Sequence, residues 1–304
     1  MPGMDGYEVC RHLKNDNRFK EIPVIYLSSL TDTKDKVKAF EQGGVDYIVK
    51  PFQLEEIRAR VDTHLKLHFF QKELEINNLN LTQLVHEQVK EISESQMATI
   101  FALAKLTESR DSDTGDHLNR IQLFCRMLVD KLSTYSDYSK RIQPHFIETL
   151  QKASPLHDIG KVGIRDAILL KPGKLTPAEF KEMKSHTTIG ANTLEDVFRK
   201  YPNNYFIEIG IEIARSHHEK WDGSGYPDGL KGDEIPLSAS IMAVADVYDA
   251  LRSKRVYKEA YSHLDACYII TKERGKHFNP LLVDAFMDSE KAFKSVYALM
   301  VPST

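Results

Sequence analysis

Short apolar runs alternate with amphipathic helical segments over residues 1–64. Residues 22–27 and 45–49 are mostly branched and apolar, which predicts two buried strands. A helical spacing of apolar positions precedes each of them, at residues 7–14 and 32–42. Because strands that alternate with helices usually pair in parallel, this segment is predicted to be part of an α/β domain.

Residues 65–98 show a different pattern and contain neither glycine nor proline. Their apolar side chains recur at spacings of three and four residues, as Leu67, Phe70, Leu74, Leu81 and Leu84 and then, in a shifted register, as Val85, Val89 and Ile92. This spacing predicts a long linker helix that pairs with a second copy as a coiled coil, so that the protein is a homodimer. The alternative is a single helix that lies on its own domains.

Helical periodicity dominates residues 99–304 and strand signals nearly vanish, so this region is predicted to be an all-α domain. Loops rich in glycine and proline separate several helices, notably at residues 222–236. Helices are predicted at residues 97–108, 116–133, 146–157, 176–184, 189–199, 205–218, 238–251, 262–274 and 280–289.

Composition narrows the functional classes. The 304 residues suffice for two domains, and a net charge of −3 argues against nucleic acid or a membrane surface as a partner. An anionic substrate would therefore need local cations or metal ions. The cysteines Cys10, Cys125 and Cys267 are isolated, as is typical of a reducing compartment. Because neither a signal peptide nor an apolar run of membrane-spanning length is present, a cytoplasmic location is expected.

Histidine and aspartate residues that could bind metal are spread between positions 113 and 246. They are His117, the pair His157-Asp158, His186, the pair His217-His218, and Asp246. Each is weak evidence alone, because a lone histidine in a helical domain is usually a satisfied core residue or a surface residue. Together they offer nitrogen and oxygen ligands without a thiolate, a set that suits iron, manganese or zinc.

Two metal ions could share these ligands. Adjacent helical side chains point about 100° apart, so His157 and Asp158 can face one site only where a helix ends, and Ile159 and Gly160 follow directly. A carboxylate can bridge two cations, whereas a neutral imidazole binds one. Two ions about 3.5–4 Å apart can hold a phosphodiester and lower the pKa of a water between them. The pattern therefore indicates metal-dependent phosphodiester hydrolysis.

The order of these residues resembles the H…HD…D signature of the HD phosphohydrolase superfamily. Three further motifs resemble the HD-GYP family, over roughly residues 99–290: HDIGK at 157–161, HxxxGxxxL at 186–194 and HHEKWDGSGYPDGLKG at 217–232. The resemblance implies an HD-type helical domain. It also implies an iron- or manganese-dependent phosphodiesterase that opens cyclic di-GMP to linear pGpG, and often on to GMP, in second-messenger signalling.

The resemblance implies roles for individual residues. One metal would be held by His117, His157, Asp158 and Asp246, and a second, bridged by Asp158, would be held by His186, His217 and His218. Lys161 would place a cation on the scissile phosphate, so Lys161 and Asp158 are the catalytic candidates. Substrate contacts are implied for Gly225, Tyr226, Arg255 and Lys258. Asp113 lies where some members have a glutamate that binds a third metal, but it is shorter, so a two-metal site is expected.

The N-terminal segments MPGMDG, IPVIYLSS and DYIVKPF resemble the second half of a response-regulator receiver domain. Ser28 and Lys50 match the residues that contact the phosphoryl group in that family. The acceptor aspartate and the first strands have no counterpart here. Residues 1–64 are therefore expected to be a truncated receiver that is not phosphorylated, with Ser28 and Lys50 as relics. A sensor histidine kinase would be a partner only of a complete receiver.

Two other functions remain open. A catalytically idle module could bind cyclic dinucleotides or recruit proteins through its loop and coiled coil, but the complete ligand set disfavours this. An HD-type phosphohydrolase could act on a mononucleotide, but the GYP loop and the additional histidines disfavour that. The sequence does not predict which cyclic dinucleotide is preferred, cyclic GMP-AMP included.

Overall fold

The computed structural model describes residues 3–29, 31–110, 116–253 and 260–300. The chain divides into two compact units, Met1–Ser93 and Glu94–Thr304. The predicted C-terminal domain begins at residue 99, a few positions beyond this division. Each unit is described by itself below.

The first unit contains a small parallel sheet. Strand β1 (Ile25–Ser28) pairs in parallel with β2 (Asp46–Val49), and Ile25 lies opposite Asp46. The helices α1 (Gly6–Asn15) and α2 (Thr33–Glu41) precede the two strands. The prediction of an α/β segment is thus confirmed. The apolar run begins at residue 22, but β1 starts later, and Pro23 lacks the N–H that a strand ladder requires.

The longest element is α3 (Leu54–Glu108), a continuous helix of 55 residues. The sequence pattern predicted a linker helix over residues 65–98 and a further helix at 97–108 as separate segments. They merge because residues 54–108 contain neither glycine nor proline, so nothing in the backbone interrupts the hydrogen-bond ladder.

The second unit is all-α, as predicted. Its helices are α4 (His117–Ser133), α5 (Pro144–Ala153), α6 (Asp166–Leu169), α7 (Pro177–Lys184), α8 (His186–Lys200), α9 (Tyr205–Ser216), α10 (Leu237–Arg252), α11 (His263–Lys272), α12 (Pro280–Asp288) and α13 (Glu290–Met300). The short α6 and the C-terminal α13 were not predicted. The helix predicted at 146–157 was too long, since α5 ends at Ala153 and a 3₁₀ turn, Ser154–Leu156, with Pro155 inside it, follows.

An aromatic core holds the helices of the second unit together. Phe124 on α4 stacks on Phe293 of α13 with ring centroids 4.5 Å apart, and Tyr248 of α10 packs edge-on against Phe124 at 5.2 Å. All three side chains are fully buried. This packing presses α10 against α4 and thereby sets the distance between their polar residues. Among the described residues, no helix combines the length and the apolar character needed to cross a membrane.

Candidate metal centre

The seven predicted ligands lie in two adjacent groups. Within each group, one candidate ligand atom per residue lies within 4.8 Å of the others. The first group is His117, His157 and Asp246, and the second is Asp158, His186, His217 and His218. These two groups match the two ligand sets that the resemblance implied, except that Asp158 was expected in both sets and falls in the second group alone.

Asp158 connects the two groups. Its Oδ2 lies 3.2 Å from Nε2 of His157, and its Oδ1 lies 3.3 Å from Nε2 of His186 and 3.8 Å from Nε2 of His217. Asp158 has φ −103° and ψ 11° and caps a 3₁₀ helix, Ile159–Gly163. Because the backbone leaves helical geometry at this point, two consecutive side chains can turn to one site.

Three of the imidazole rings have a fixed tautomer. Nδ1 of His157, His186 and His217 lies 3.0, 2.7 and 2.9 Å from a main-chain carbonyl. A carbonyl only accepts, so each Nδ1 carries the proton and each Nε2 keeps its lone pair. Within the part of the chain that the structure describes, these Nε2 atoms and Oδ1 of Asp158 are buried without a hydrogen-bond partner. Buried acceptors are rarely left unpaired, and metal-binding histidines characteristically donate the other ring N–H in this way. The residues present therefore fit a metal ion.

The charge states of the second group suit a cation. Burial lowers the pKa of His217 to about 3 and holds the pKa of His218 well below its ordinary value, so both rings are neutral at pH 7. Burial opposes ionisation of Asp158, but Lys161 and His157 hold the pKa of its carboxyl well below the ordinary value. Neutral imidazoles beside an ionised carboxylate are the protonation states that metal binding requires.

His117 is held by a buried carboxylate that sequence reasoning missed. Oδ2 of Asp249 lies 2.7 Å from Nδ1 of His117, and Arg120 donates to both Asp249 oxygens, from Nε at 2.6 Å and from Nη2 at 2.8 Å. Burial would lower the pKa of His117, but Asp249 raises it to about 9. The sequence feature that could have pointed to these two residues is their spacing from the predicted ligands. Arg120 follows His117, and Asp249 follows Asp246, by one helical turn.

Glycine allows the Asp158 segment to approach α8 closely. A Cβ on Gly160 would lie 1.9 Å from the carbonyl oxygen of His186, so any other residue there would push α8 away. One residue further on, Nζ of Lys161 lies 2.8 Å from Oδ2 of Asp158. The HDIGK motif therefore places a carboxylate and an ammonium side by side against the end of α8.

The glycine-rich loop is organised by Glu219, which sequence reasoning also missed. This buried carboxylate accepts main-chain N–H groups from Asp228 at 2.7 Å, Gly229 at 3.0 Å and Leu230 at 3.1 Å. A Cβ on Gly225 would lie 2.5 Å from the Glu219 Cα, so the loop also requires glycine there. Three N–H donors on one carboxylate hold the loop in its folded conformation.

The folded loop brings an aromatic ring to the metal-ligand candidates. Tyr226 stacks on the ring of His218 with centroids 4.8 Å apart and planes at 27°. The proposed substrate residue Tyr226 thus contacts a proposed metal ligand directly. Asp113, Arg255 and Lys258, the other predicted residues, lie outside the described residues.

A third group of metal-binding residue types behaves differently. His263, Cys267 and Glu290 also place one ligand atom each within 4.8 Å. Here both ring nitrogens have partners: Nδ1 of His263 lies 2.9 Å from the Tyr248 hydroxyl and Nε2 lies 2.6 Å from Glu290. This histidine is a satisfied core residue that connects α10, α11 and α13.

Two protein families match the chain. The HD domain family matches residues 102–282, and the response regulator receiver domain family matches residues 1–62. A probable cyclic di-GMP phosphodiesterase of Vibrio cholerae is 47% identical over 294 residues, which cover 96% of this chain and 67% of that protein.

Two further relatives extend the comparison. The cyclic di-GMP phosphodiesterase response regulator RpfG of Xanthomonas campestris is 39% identical over 94% of this chain and 72% of its own length. The 3'3'-cGAMP-specific phosphodiesterase 2 of Vibrio cholerae is 34% identical over 85% of this chain and 46% of its own length. The chain therefore belongs to the HD domain family, with receiver-domain sequence at its N-terminal end, and its HDIGK and GYP-loop motifs fit the HD-GYP phosphodiesterases.

Proposed function

We propose that this chain hydrolyses cyclic di-GMP to linear pGpG, and further to GMP, with two divalent metal ions. The observation that carries the proposal is the convergence of unpaired, buried Nε2 atoms on the ionised carboxylate of Asp158. Such an arrangement is costly without a cation, because buried acceptors lose their water without gaining a partner. The relatives named above, which are called cyclic dinucleotide phosphodiesterases, support the same activity.

We assign the ligands to two ions, iron or manganese, bridged by Asp158. The first ion would bind His117, His157, Asp158 and Asp246, and the second would bind Asp158, His186, His217 and His218. When bound, such ions polarise the phosphodiester and make a nearby water more acidic. Asp113 is a candidate ligand for a third ion, but a two-ion site remains our proposal.

Side chains of the protein would contact the substrate directly. Lys161 sits beside Asp158, so its ammonium can contact the scissile phosphate as negative charge develops there in the transition state. Gly225 allows the loop backbone to approach the substrate, and Tyr226 offers a ring to it. Arg255 and Lys258 are proposed to bind the substrate phosphates.

Turnover with defined metals tests the proposal. Metal-free protein should not cleave cyclic di-GMP, and adding manganese, or iron under anaerobic conditions, should produce pGpG, because the hydrolytic water depends on the ions. Products are resolved by ion-pair chromatography in a panel that includes cyclic GMP-AMP, cyclic di-AMP and mononucleotides. Metal loading without turnover of any nucleotide would favour the idle binding module. Turnover of mononucleotides alone would favour the general phosphohydrolase.

We also propose that α3 dimerises the protein. The predicted seam residues on this helix are more than half exposed, for example Phe70 at 65% and Leu81 at 58%, so the described residues of the same chain do not cover them. A second copy would bury them as a coiled coil. Control by a sensor histidine kinase is proposed only for a protein that contains a complete receiver.

Disrupting the seam should produce monomers. Replacing Leu74 and Leu81 together with glutamate puts like charges along the seam, and size-exclusion chromatography with light scattering should then report about half the wild-type mass. The matched control replaces Glu73 and Lys90, polar residues of the same helix, with alanine, and it should remain dimeric. A wild-type protein that is monomeric at micromolar concentration would contradict the proposal.

A further inference from the structure

An exposed aromatic ring and a lysine stand beside the candidate metal centre. The Phe180 ring on α7 is T-shaped to Tyr226, with centroids 6.4 Å apart, although Phe180 is 46% exposed. Nζ of Lys184, one turn later on α7, lies 4.9 Å above the Phe180 ring and 5.1 Å above the Tyr226 ring. Since Tyr226 stacks on His218, this group adjoins the metal-ligand candidates.

The position of Phe180 and Lys184 suits contact with a base. Single exposed apolar residues are common and need no explanation. Here, however, the exposed ring borders the proposed reaction site, and an ammonium is held over it by cation–π attraction. Exposed aromatic faces are the surfaces on which nucleic acid bases stack. Lysine donates to O6 and N7 of guanine, whereas adenine has a donating amino group in place of O6.

We propose that Phe180 and Lys184 form a purine subsite, in which a base of the substrate stacks on Phe180 and Lys184 donates to the acceptor edge of guanine. The inference rests on the proposed function and deepens it, because it names the residues that favour guanine over adenine. Neither residue belongs to the candidate metal ligands. The subsite is therefore a specificity determinant separate from the hydrolytic machinery.

Three variants test the subsite. Phe180→Leu keeps an apolar side chain but removes the stacking face, so the KM for cyclic di-GMP should rise at least about fivefold while kcat changes much less. Phe180→Tyr should restore the KM to within about twofold. Lys184→Met keeps most of the apolar stem but removes the donor. It should therefore lower the kcat/KM ratio of cyclic di-GMP to cyclic di-AMP at least about fivefold.

Matched controls separate the subsite from general surface effects. Tyr201→Leu removes another exposed ring of the same unit, and Lys181→Met removes an exposed lysine of the same helix. Both should retain wild-type kinetics. Metal content, measured by atomic absorption, should equal that of wild type in every variant, which shows that the centre is intact.

Binding measured without turnover keeps the two proposals distinct. The Kd of cyclic di-GMP, from titration calorimetry, should rise at least about fivefold in Phe180→Leu whether or not the protein is active. Unchanged Kd and KM in Phe180→Leu, together with an unchanged guanine preference in Lys184→Met, would overturn the subsite. Absence of wild-type turnover combined with weaker binding in Phe180→Leu would overturn the hydrolase proposal and leave the subsite standing.

Discussion

Asp158→Asn should abolish hydrolysis of cyclic di-GMP, with a loss of roughly a thousandfold or more in kcat. The Asp158 carboxylate faces both candidate ligand groups, through Oδ2 toward His157 and through Oδ1 toward His186. Asparagine keeps the volume but removes the negative charge and one of the two oxygens that could bridge cations. In this variant the initial rate with manganese and the metal content after dialysis should both fall below those of wild type.

An exposed acidic residue provides the control for this substitution. Asp196 lies on α8 with its side chain 73% exposed, and it forms an ion pair with Arg199. Asp196→Asn removes the same charge from the same unit and should retain full activity and full metal content. If Asp158→Asn kept wild-type turnover, the bridging role and the two-metal assignment would both be wrong.

Asp249→Asn should produce the largest loss of stability, about 3–5 kcal/mol in the free energy of unfolding. Asp249 and Arg120 each have a side chain only 1% exposed, so the substitution removes the buried negative charge to which the buried guanidinium donates. Asp130→Asn is the matched control, because Asp130 pairs with Arg126 on the surface of the same helix that carries Arg120. It should cost less than about 0.5 kcal/mol. Urea denaturation of the metal-free proteins measures both.

The pH dependence of this stability has a defined sign. Burial opposes ionisation of Asp249, but Arg120 and His117 lower the pKa of its carboxyl in the folded protein. The ionised carboxyl therefore stabilises the fold above about pH 4, the unfolded value, and this stabilisation is lost as the pH falls through the lower pKa of the folded protein. The pKa of His117 is raised, so its contribution is present below about pH 6.5 and is lost as the pH rises through about 9. The difference in the free energy of unfolding between wild type and Asp249→Asn should therefore be larger at pH 5.5 than at pH 9. A difference that grew toward pH 9 would contradict this coupling.

The sequence by itself determined the chemistry of the ligands and the fold class. Imidazole and carboxylate side chains offer nitrogen and oxygen atoms that could bind metal, and helical periodicity without strand signals predicted the all-α unit. These features depend on residue type and local spacing, which can be read directly. The sequence also shows that HDIGK contains a glycine, Gly160. It does not show the reason, which is that a Cβ there would clash with the His186 carbonyl.

Tertiary structure decided which distant groups meet. The Arg120–Asp249 pair spans 129 positions, and its partners come together only because the aromatic core packs α4 against α10. The contacts of the Glu219 carboxylate with the loop and of the Phe180 ring with Tyr226 likewise depend on how helices and loops fold back on one another. A side chain's partners across the core are set by packing over long sequence separations, and a single sequence carries no local record of that packing.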